Sequence, residues 1–111
     1  MNSSFRLRRA ADFQRVRAER RAVGDHLLRV QASPNQVGHP RFGITAGRHL
    51  GGAVERNLVR RRLRAAASAE RAGLLAFDLV LIPARVAVGS PYRELAGSLR
   101  RHLDRLGVRQ R

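Results

Sequence analysis

The run Gly51-Gly52-Ala53-Val54-Glu55-Arg56-Asn57-Leu58-Val59-Arg60-Arg61-Arg62-Leu63-Arg64 constrains this chain more than any other stretch. Two glycines release a loop, and five arginines then fall within nine residues. At about 100° per residue, Val59, Leu63 and Ala66 share one side of a helix. Asn57, Arg60, Arg61, Arg64 and Ser68 share the opposite side, and Arg56 and Arg62 flank the apolar stripe. The narrow apolar face has to be buried, so the remaining chain must supply a layer for it to pack on. The cationic face carries no acid, since Glu55 lies toward the buried side and Glu70 stands well beyond the cluster. Surface helices ordinarily alternate charge and gain support from i,i+4 pairs. This face repels itself until an anion arrives, and each planar guanidinium can grip two phosphate oxygens.

The chain's length of 111 residues suits one domain with one modest core, and its hydrophobic content of 43% argues against disorder. The formal net charge is +15, from 23 basic and 8 acidic residues, and every basic residue is an arginine. A field of that size calls for an anionic partner, nucleic acid first. A membrane surface would need a broader, bulkier apolar face than Val59, Leu63 and Ala66 provide. There are no cysteines, so disulfides and thiolate metal sites are excluded. No signal-peptide pattern follows Met1, and no apolar run approaches the ~20 residues of a bilayer span. The expectation is a soluble, cytoplasmic protein.

Taken in order, residues 1–9 read as a flexible basic N-terminal segment, 10–107 as the domain and 108–111 as a basic C-terminal tail. A first helix is expected at 10–18, with Asp12 near its positive end. A half-exposed strand region at 23–32 is interrupted by Gly24-Asp25, and 33–40 reads as a loop. A strand at 41–46 precedes the central helix at 53–71, which Gly73 ends. Phe77, Leu79, Val80, Leu81 and Ile82 give a buried strand at 76–83. Ser90 is the expected N-cap of a last helix, with Pro91 at its first position and Glu94 in its first turn. Leu95, Leu99, Leu103 and Leu106 form its apolar stripe. The order αβββαβα predicts an α+β fold, a single-domain two-layer α/β sandwich, whose central helix could cross over between parallel strands.

No catalytic constellation emerges. The histidines at 26, 39, 49 and 102 lack metal-ligand spacing, and the acids are scattered singly. Gly43, Gly47 and Gly51 recur without the lysine of a phosphate loop. The chain reads as a binder with no catalytic residue and no metal site of its own. Phe13, with Arg9 and Arg17 one turn either side, is the best stacking platform for a base, although a single helical Phe is also an ordinary core residue. A DNA-binding regulator is disfavoured because a strand, not a helix, precedes Gly51. A ribosomal or general structural RNA-binding protein fits charge and size as well.

The glycine turn, Arg56-Asn57, the basic pair Arg60-Arg61 and then Arg64 resemble the signature of the protein component of bacterial ribonuclease P. The similarity extends through Asp12-Phe13-Gln14-Arg15-Val16, Arg41-Phe42-Gly43-Ile44, Asp78-Leu79-Val80-Leu81-Ile82-Pro83-Ala84-Arg85 and Tyr92-Arg93-Glu94-Leu95, covering about residues 7–106. The resemblance implies about four strands, three helices and a left-handed crossover through the central helix. It implies a catalytic RNA that holds the active site and most of the Mg2+, with the protein assisting removal of the 5′ leader from precursor tRNA. Carried over by position, Arg48, Arg56, Asn57, Arg60, Arg61 and Arg64 would face the catalytic RNA. Phe13, Arg9, Arg17 and Val30 would line a leader cleft between the first helix and the sheet. The partners implied are the catalytic RNA and precursor tRNA, with no membrane and no obligate protein partner. Leu58 departs from the family pattern where many relatives are polar or basic. Arg17 and Val30 stand where relatives often carry aromatics.

Overall fold

The computed structural model describes residues 3–110; Met1, Asn2 and Arg111 lie outside the described residues. The elements are α1 (Ala10–Glu19), β1 (Ala22–Gly24), β2 (Leu28–Pro34), β3 (Arg41–Ile44), α2 (Ala53–Glu70), β4 (Phe77–Pro83) and α3 (Tyr92–Leu106). The strands form one sheet in the order β1-β2-β4-β3. β2 pairs antiparallel with both β1 and β4, whereas β3 runs parallel to β4. A parallel pair cannot be closed by a tight turn, so α2 is the crossover between β3 and β4.

The unbroken apolar run of β4 has a direct cause: both of its faces are covered. Leu79 and Leu81 point into the main core, while Val80 and Ile82 point the other way toward Leu7, Phe13 and Val16. The main core sandwiches Leu28, Val30 and Ala32 of β2 against Val59, Leu63, Ala66 and Ala67 of α2 and Leu95, Leu99 and Leu103 of α3. α1 crosses the opposite face over a smaller cluster. No helix among the described residues is long and apolar enough to cross a membrane.

Several boundaries differ from those expected. The interrupted strand region is a hairpin of two strands, turned by Asp25, whose Oδ1 accepts the backbone N–H of Leu27 and Leu28 at 2.8 and 3.0 Å. β2 continues to Pro34, which pairs with Phe77. Proline is tolerated there because β1 pairs only as far as Gln31, leaving that side of the strand without a ladder. α2 gives way at Glu70 to a 3-10 turn, Arg71–Gly73, so Gly73 is not a left-handed cap. Ser90 does not cap α3: its hydroxyl donates to the Val86 carbonyl at 2.9 Å, and the Pro91 carbonyl receives the N–H groups of Glu94 and Leu95.

Neither end is loose over its described length. Arg6 bridges Phe42 in parallel, the Leu7 N–H donates to the Phe42 carbonyl at 2.8 Å, and Leu7 is buried. The buried Leu7 side chain and the backbone pairing with Phe42 seat this segment on the edge of β3. At the other end Val108 is fully buried, and its carbonyl accepts the N–H of Leu75 at 2.8 Å. Arg109 pairs with both Glu70 and Asp104. Residues 108–110 are therefore packed structure, not a tail.

Candidate nucleic-acid interface

The loop into α2 depends on glycine at one position. Gly51 has φ +120°, and a Cβ there would meet the Glu55 side chain at 3.2 Å. Gly52 caps the helix without a side-chain bond, and Glu55 folds back against both glycines. The acid of this segment is thereby held at the positive end of the helix, away from the arginine face. Arg48 sits exposed in the 3-10 turn just before the loop.

Along α2, burial divides the side chains as the periodicity requires. Val59, Leu63, Ala66 and Ala67 are buried, while Arg56, Asn57, Arg60, Arg61 and Arg64 remain partly or fully exposed. Arg60 donates to Asn57 Oδ1 at 3.2 Å and to the Ala46 carbonyl at 3.3 Å, which tilts it toward β3. Arg56 keeps a buried Nε without a partner among the described residues. Arg62 turns the other way and donates to the Ser90 carbonyl at 2.7 Å, bracing α2 against the entry to α3. Among the described residues, Arg56, Arg60, Arg61, Arg62 and Arg64 enter no ion pair; the acids are engaged elsewhere or stand apart.

The arginine face continues over the edge of the sheet. Arg6, Arg8, Arg60 and Arg64 converge on a cavity of about 220 Å³ walled by Phe13 and Phe42. Burial, with Arg6 and Arg60 alongside, pushes the Arg64 guanidinium down from its usual value. The group remains charged at neutral pH; burial is the main cause of the shift, and the neighbouring cations Arg6 and Arg60 add to it. Arg6 and Arg8 are not among the residues expected at the interface from the sequence. The alternation Arg6-Leu7-Arg8, one apolar residue between two cations, is the signal of an edge segment that could have found them.

Phe13 combines the two roles that its sequence context allowed. Its ring packs on the smaller core cluster yet stays half exposed and lines the cavity. It lies so close over Gly43 that a Cβ there would stand 2.5 Å from the ring. Arg9, at the N-cap of α1, and Arg17, within the helix, are exposed, but neither lines the cavity. Val30 does not belong with them. It is fully buried in the main core, on the face of β2 turned toward α2 and α3. Strand alternation instead turns Arg29, Gln31 and Ser33 toward α1, and it is Ser33 that receives a hydrogen bond from Arg15 at 2.8 Å.

A second charged cluster holds α1 in place. Asp78 is fully buried and takes a two-pronged contact from Arg41, with Nε to Oδ1 and Nη2 to Oδ2 both at 2.8 Å. Arg15 of α1 pairs with the same carboxylate, and Asn35 donates to it at 2.9 Å. Burial alone would raise this carboxyl. The hydrogen bonds from Arg41 and Asn35 and the charges of Arg41 and Arg15 outweigh that and hold it below the usual carboxylate range.

Among the described residues, no group of three or more His, Cys, Asp or Glu side chains comes together as a metal site. Ser98, His102 and Asp25 do meet, with Ser98 Oγ donating to Asp25 Oδ2 at 2.8 Å and lying 3.3 Å from His102 Nε2. Ser98 and His102 are both buried, and His102 Nε2 lies 3.0 Å from the Leu28 carbonyl. This cluster ties α3 to the β1–β2 turn, with its hydroxyl and imidazole both buried in the fold.

The family model described as Ribonuclease P matches residues 1–107. The ribonuclease P protein component of Acidothermus cellulolyticus is 36% identical, over 94% of this chain and 89% of that protein. That of Symbiobacterium thermophilum is 35% identical, over 100% of this chain and 98% of that protein. A solved structure of the Staphylococcus aureus RNase P protein superposes with a TM-score of 0.87 at 28% identity, covering 96% of this chain and 98% of the other. Fold, length and motif agree, and the chain belongs to the ribonuclease P family of protein components, RNA-binding proteins of tRNA processing.

Proposed function

We propose that this chain binds the catalytic RNA of ribonuclease P through the outer face of α2 and guides the 5′ leader of precursor tRNA past Phe13. The observation that carries the proposal is the acid-free arginine face, Arg56, Arg60, Arg61 and Arg64, which runs into a cavity shared with Arg6, Arg8 and Phe13. Arg48 and Asn57 extend the same surface at the start of the helix. Each guanidinium supplies forked donors to phosphate, and the half-exposed Phe13 ring supplies a π face to an unstacked base. Arg9 at the N-cap of α1 and Arg17 within it stand one turn either side of Phe13 and would draw the leader backbone along it. Val30 has no part in the leader path.

In this reading the chemistry of cleavage belongs to the RNA, which holds the Mg2+. The protein's acids are a poor donor set for such an ion: Asp78, Asp25, Glu70 and Asp104 are each engaged by arginine. The protein contributes by lowering the repulsion between RNA strands, so that substrate and divalent ions bind more tightly. It acts in the cytoplasm, with no membrane and no obligate protein partner.

Reconstitution tests this directly. The purified chain, added to the catalytic RNA at low magnesium, is expected to raise the rate of precursor-tRNA cleavage. A contact set of about six phosphates predicts a slope of log affinity against log salt near −4 to −5. No stimulation, together with a flat salt response, would leave a structural RNA-binding role as the better reading.

A further inference from the structure

We infer that the RNA-binding stripe of α2 does not end at Arg64 but reaches Arg71, a further phosphate contact held in position by Phe5. The inference rests on the reading of α2 as the RNA-binding face. Arg71 follows the last α-helical residue but keeps helical angles, φ −61° and ψ −35°. On the helical wheel it falls with Asn57, Arg60, Arg61, Arg64 and Ser68, about 10 Å along the axis beyond Arg64. A strand lying on the motif arginines would meet it next.

Arg71 differs from the other arginines at that end of the helix. Arg100 and Arg109 are both paired with Glu70. Arg71 has neither an ion pair nor a side-chain hydrogen bond among the described residues; its one recorded side-chain contact is with a ring. The guanidinium carbon lies 4.4 Å from the Phe5 ring centroid. Stacking of this kind covers one face of the guanidinium and leaves its N–H donors for an anion.

The ring is itself held. Phe5 meets His39 edge-on, with centroids 4.8 Å apart. The His39 carbonyl accepts Asn35 Nδ2 at 3.0 Å, and the same amide donates to the buried Asp78 carboxylate at 2.9 Å. A chain of contacts thus runs from Asp78 through Asn35 and His39 to Phe5 and Arg71. An exposed arginine normally loses rotamer freedom when it takes a ligand. Here the surroundings have already restricted it, so Phe5 is a positioning residue and Arg71 the contact. The only other cation–ring pair found among the described residues, Arg21 over Phe77, lacks this property, because Arg21 already donates to the Leu106 carbonyl.

The test is equilibrium binding of the full chain to the catalytic RNA across a salt series, with melting curves as a check on folding. Arg71→Ala is expected to weaken binding about tenfold and to lower the salt slope by about 0.7–1. Arg71→Lys keeps charge and stem, so it should retain the slope while losing part of the affinity. Phe5→Leu should weaken binding about threefold, Phe5→Tyr should restore it, and Phe5→Leu added to Arg71→Ala should cost nothing more. An unchanged slope and affinity for Arg71→Ala, beside a clear loss for Arg61→Ala, would overturn the extension and leave the motif reading intact. If neither substitution mattered, the α2 reading would fall and this inference with it. Additive losses in the double variant would overturn the role given to Phe5.

Discussion

α2 and α3 lie on the same side of the sheet, bury apolar stripes in the same core, and are both rich in arginine. Their outer faces are nevertheless opposites. On α3, Arg100 reaches Glu70 and Arg101 reaches Asp25, while Asp104 takes Arg109 from the segment that follows. On α2, the motif arginines meet no carboxylate among the described residues, and the helix's own terminal acid, Glu70, is turned toward α3 and Arg109. Arginine content therefore says little about which surface binds RNA. What separates the two helices is where eight acids are placed among 23 cations. Two of α3's arginines, Arg100 and Arg101, are engaged by carboxylates, whereas among the described residues Arg56, Arg60, Arg61 and Arg64 of α2 are left for a polyanion.

The inner faces should not share this contrast, and the largest effects test that. Val59→Asp on α2 and Leu99→Asp on α3 each put an unpaired carboxylate into the same dry core. The cost is several kcal/mol, comparable with a domain's whole stability. Both variants should lose their cooperative thermal transition by circular dichroism. A folded Val59→Asp protein would show that α2 is only loosely docked.

Next in size is the paired class at its most buried point. Asp78→Ala leaves Arg41 and the α1 residue Arg15 without their carboxylate. Because both arginines are partly exposed, the cost should fall at or below the low end of the ~3–5 kcal/mol of a broken buried pair, read by denaturant titration. The pH dependence follows from the depressed carboxyls of Asp78 and Asp25. A lowered folded pKa stabilises the native state fully at neutral pH. That stability is lost once pH drops below the ordinary carboxylate value, about 3.9, toward the lower folded values. Asp78→Asn should therefore start less stable and show a shallower acid limb. An acid limb identical to that of the parent chain would mean that the Asp78 network contributes nothing to folding.

The unpaired class should show the reverse pattern. Arg60→Ala combined with Arg61→Ala is expected to weaken catalytic-RNA binding by about 100-fold, from two charge-assisted contacts. The salt slope should fall by about 1.5–2, while the melting transition stays near that of the parent chain. Loss of stability in proportion to loss of binding would merge the two classes and remove the contrast.

How much of this was legible in the sequence divides along the same line. The leucine stripe of α3, the apolar run of β4 and the two faces of α2 follow from local periodicity, and each stands where that periodicity puts it. Val30 shows what periodicity leaves open. Alternation along β2 separates Val30 from Arg29 and Gln31, but only the positions of α1, α2 and α3 decide which face is core and which is cleft. Arg6 and Arg8 were hidden for a related reason, since a short basic segment looks loose until the edge of β3 is there to receive Leu7. The Asp78 cluster joins residues 15, 35, 41 and 78, and no local pattern reports that a single acid will gather them. Gly43 reads as one member of a weak glycine series until the Phe13 ring is found lying over it.

The smallest expected effect is the most exacting for the comparison. Arg100→Ala and Arg101→Ala remove two exposed cations, as the Arg60/Arg61 double substitution removes two from α2. An exposed ion pair is worth about 0–1 kcal/mol, so stability should hardly move. Each removed cation leaves behind an acid it had offset, and within about one Debye length, roughly 8–10 Å, the two charges had already screened each other. RNA affinity should therefore change less than about twofold beyond what the lower net charge imposes, with the salt slope intact. If the α3 variant lost affinity as steeply as the α2 variant, binding would follow the +15 charge as a whole. The arrangement of acids would then have no bearing on where RNA sits. If only α2 responds, the acid-free face is the determinant, and a carboxylate introduced beside it, as in Ala65→Glu, should convert that face toward the α3 type.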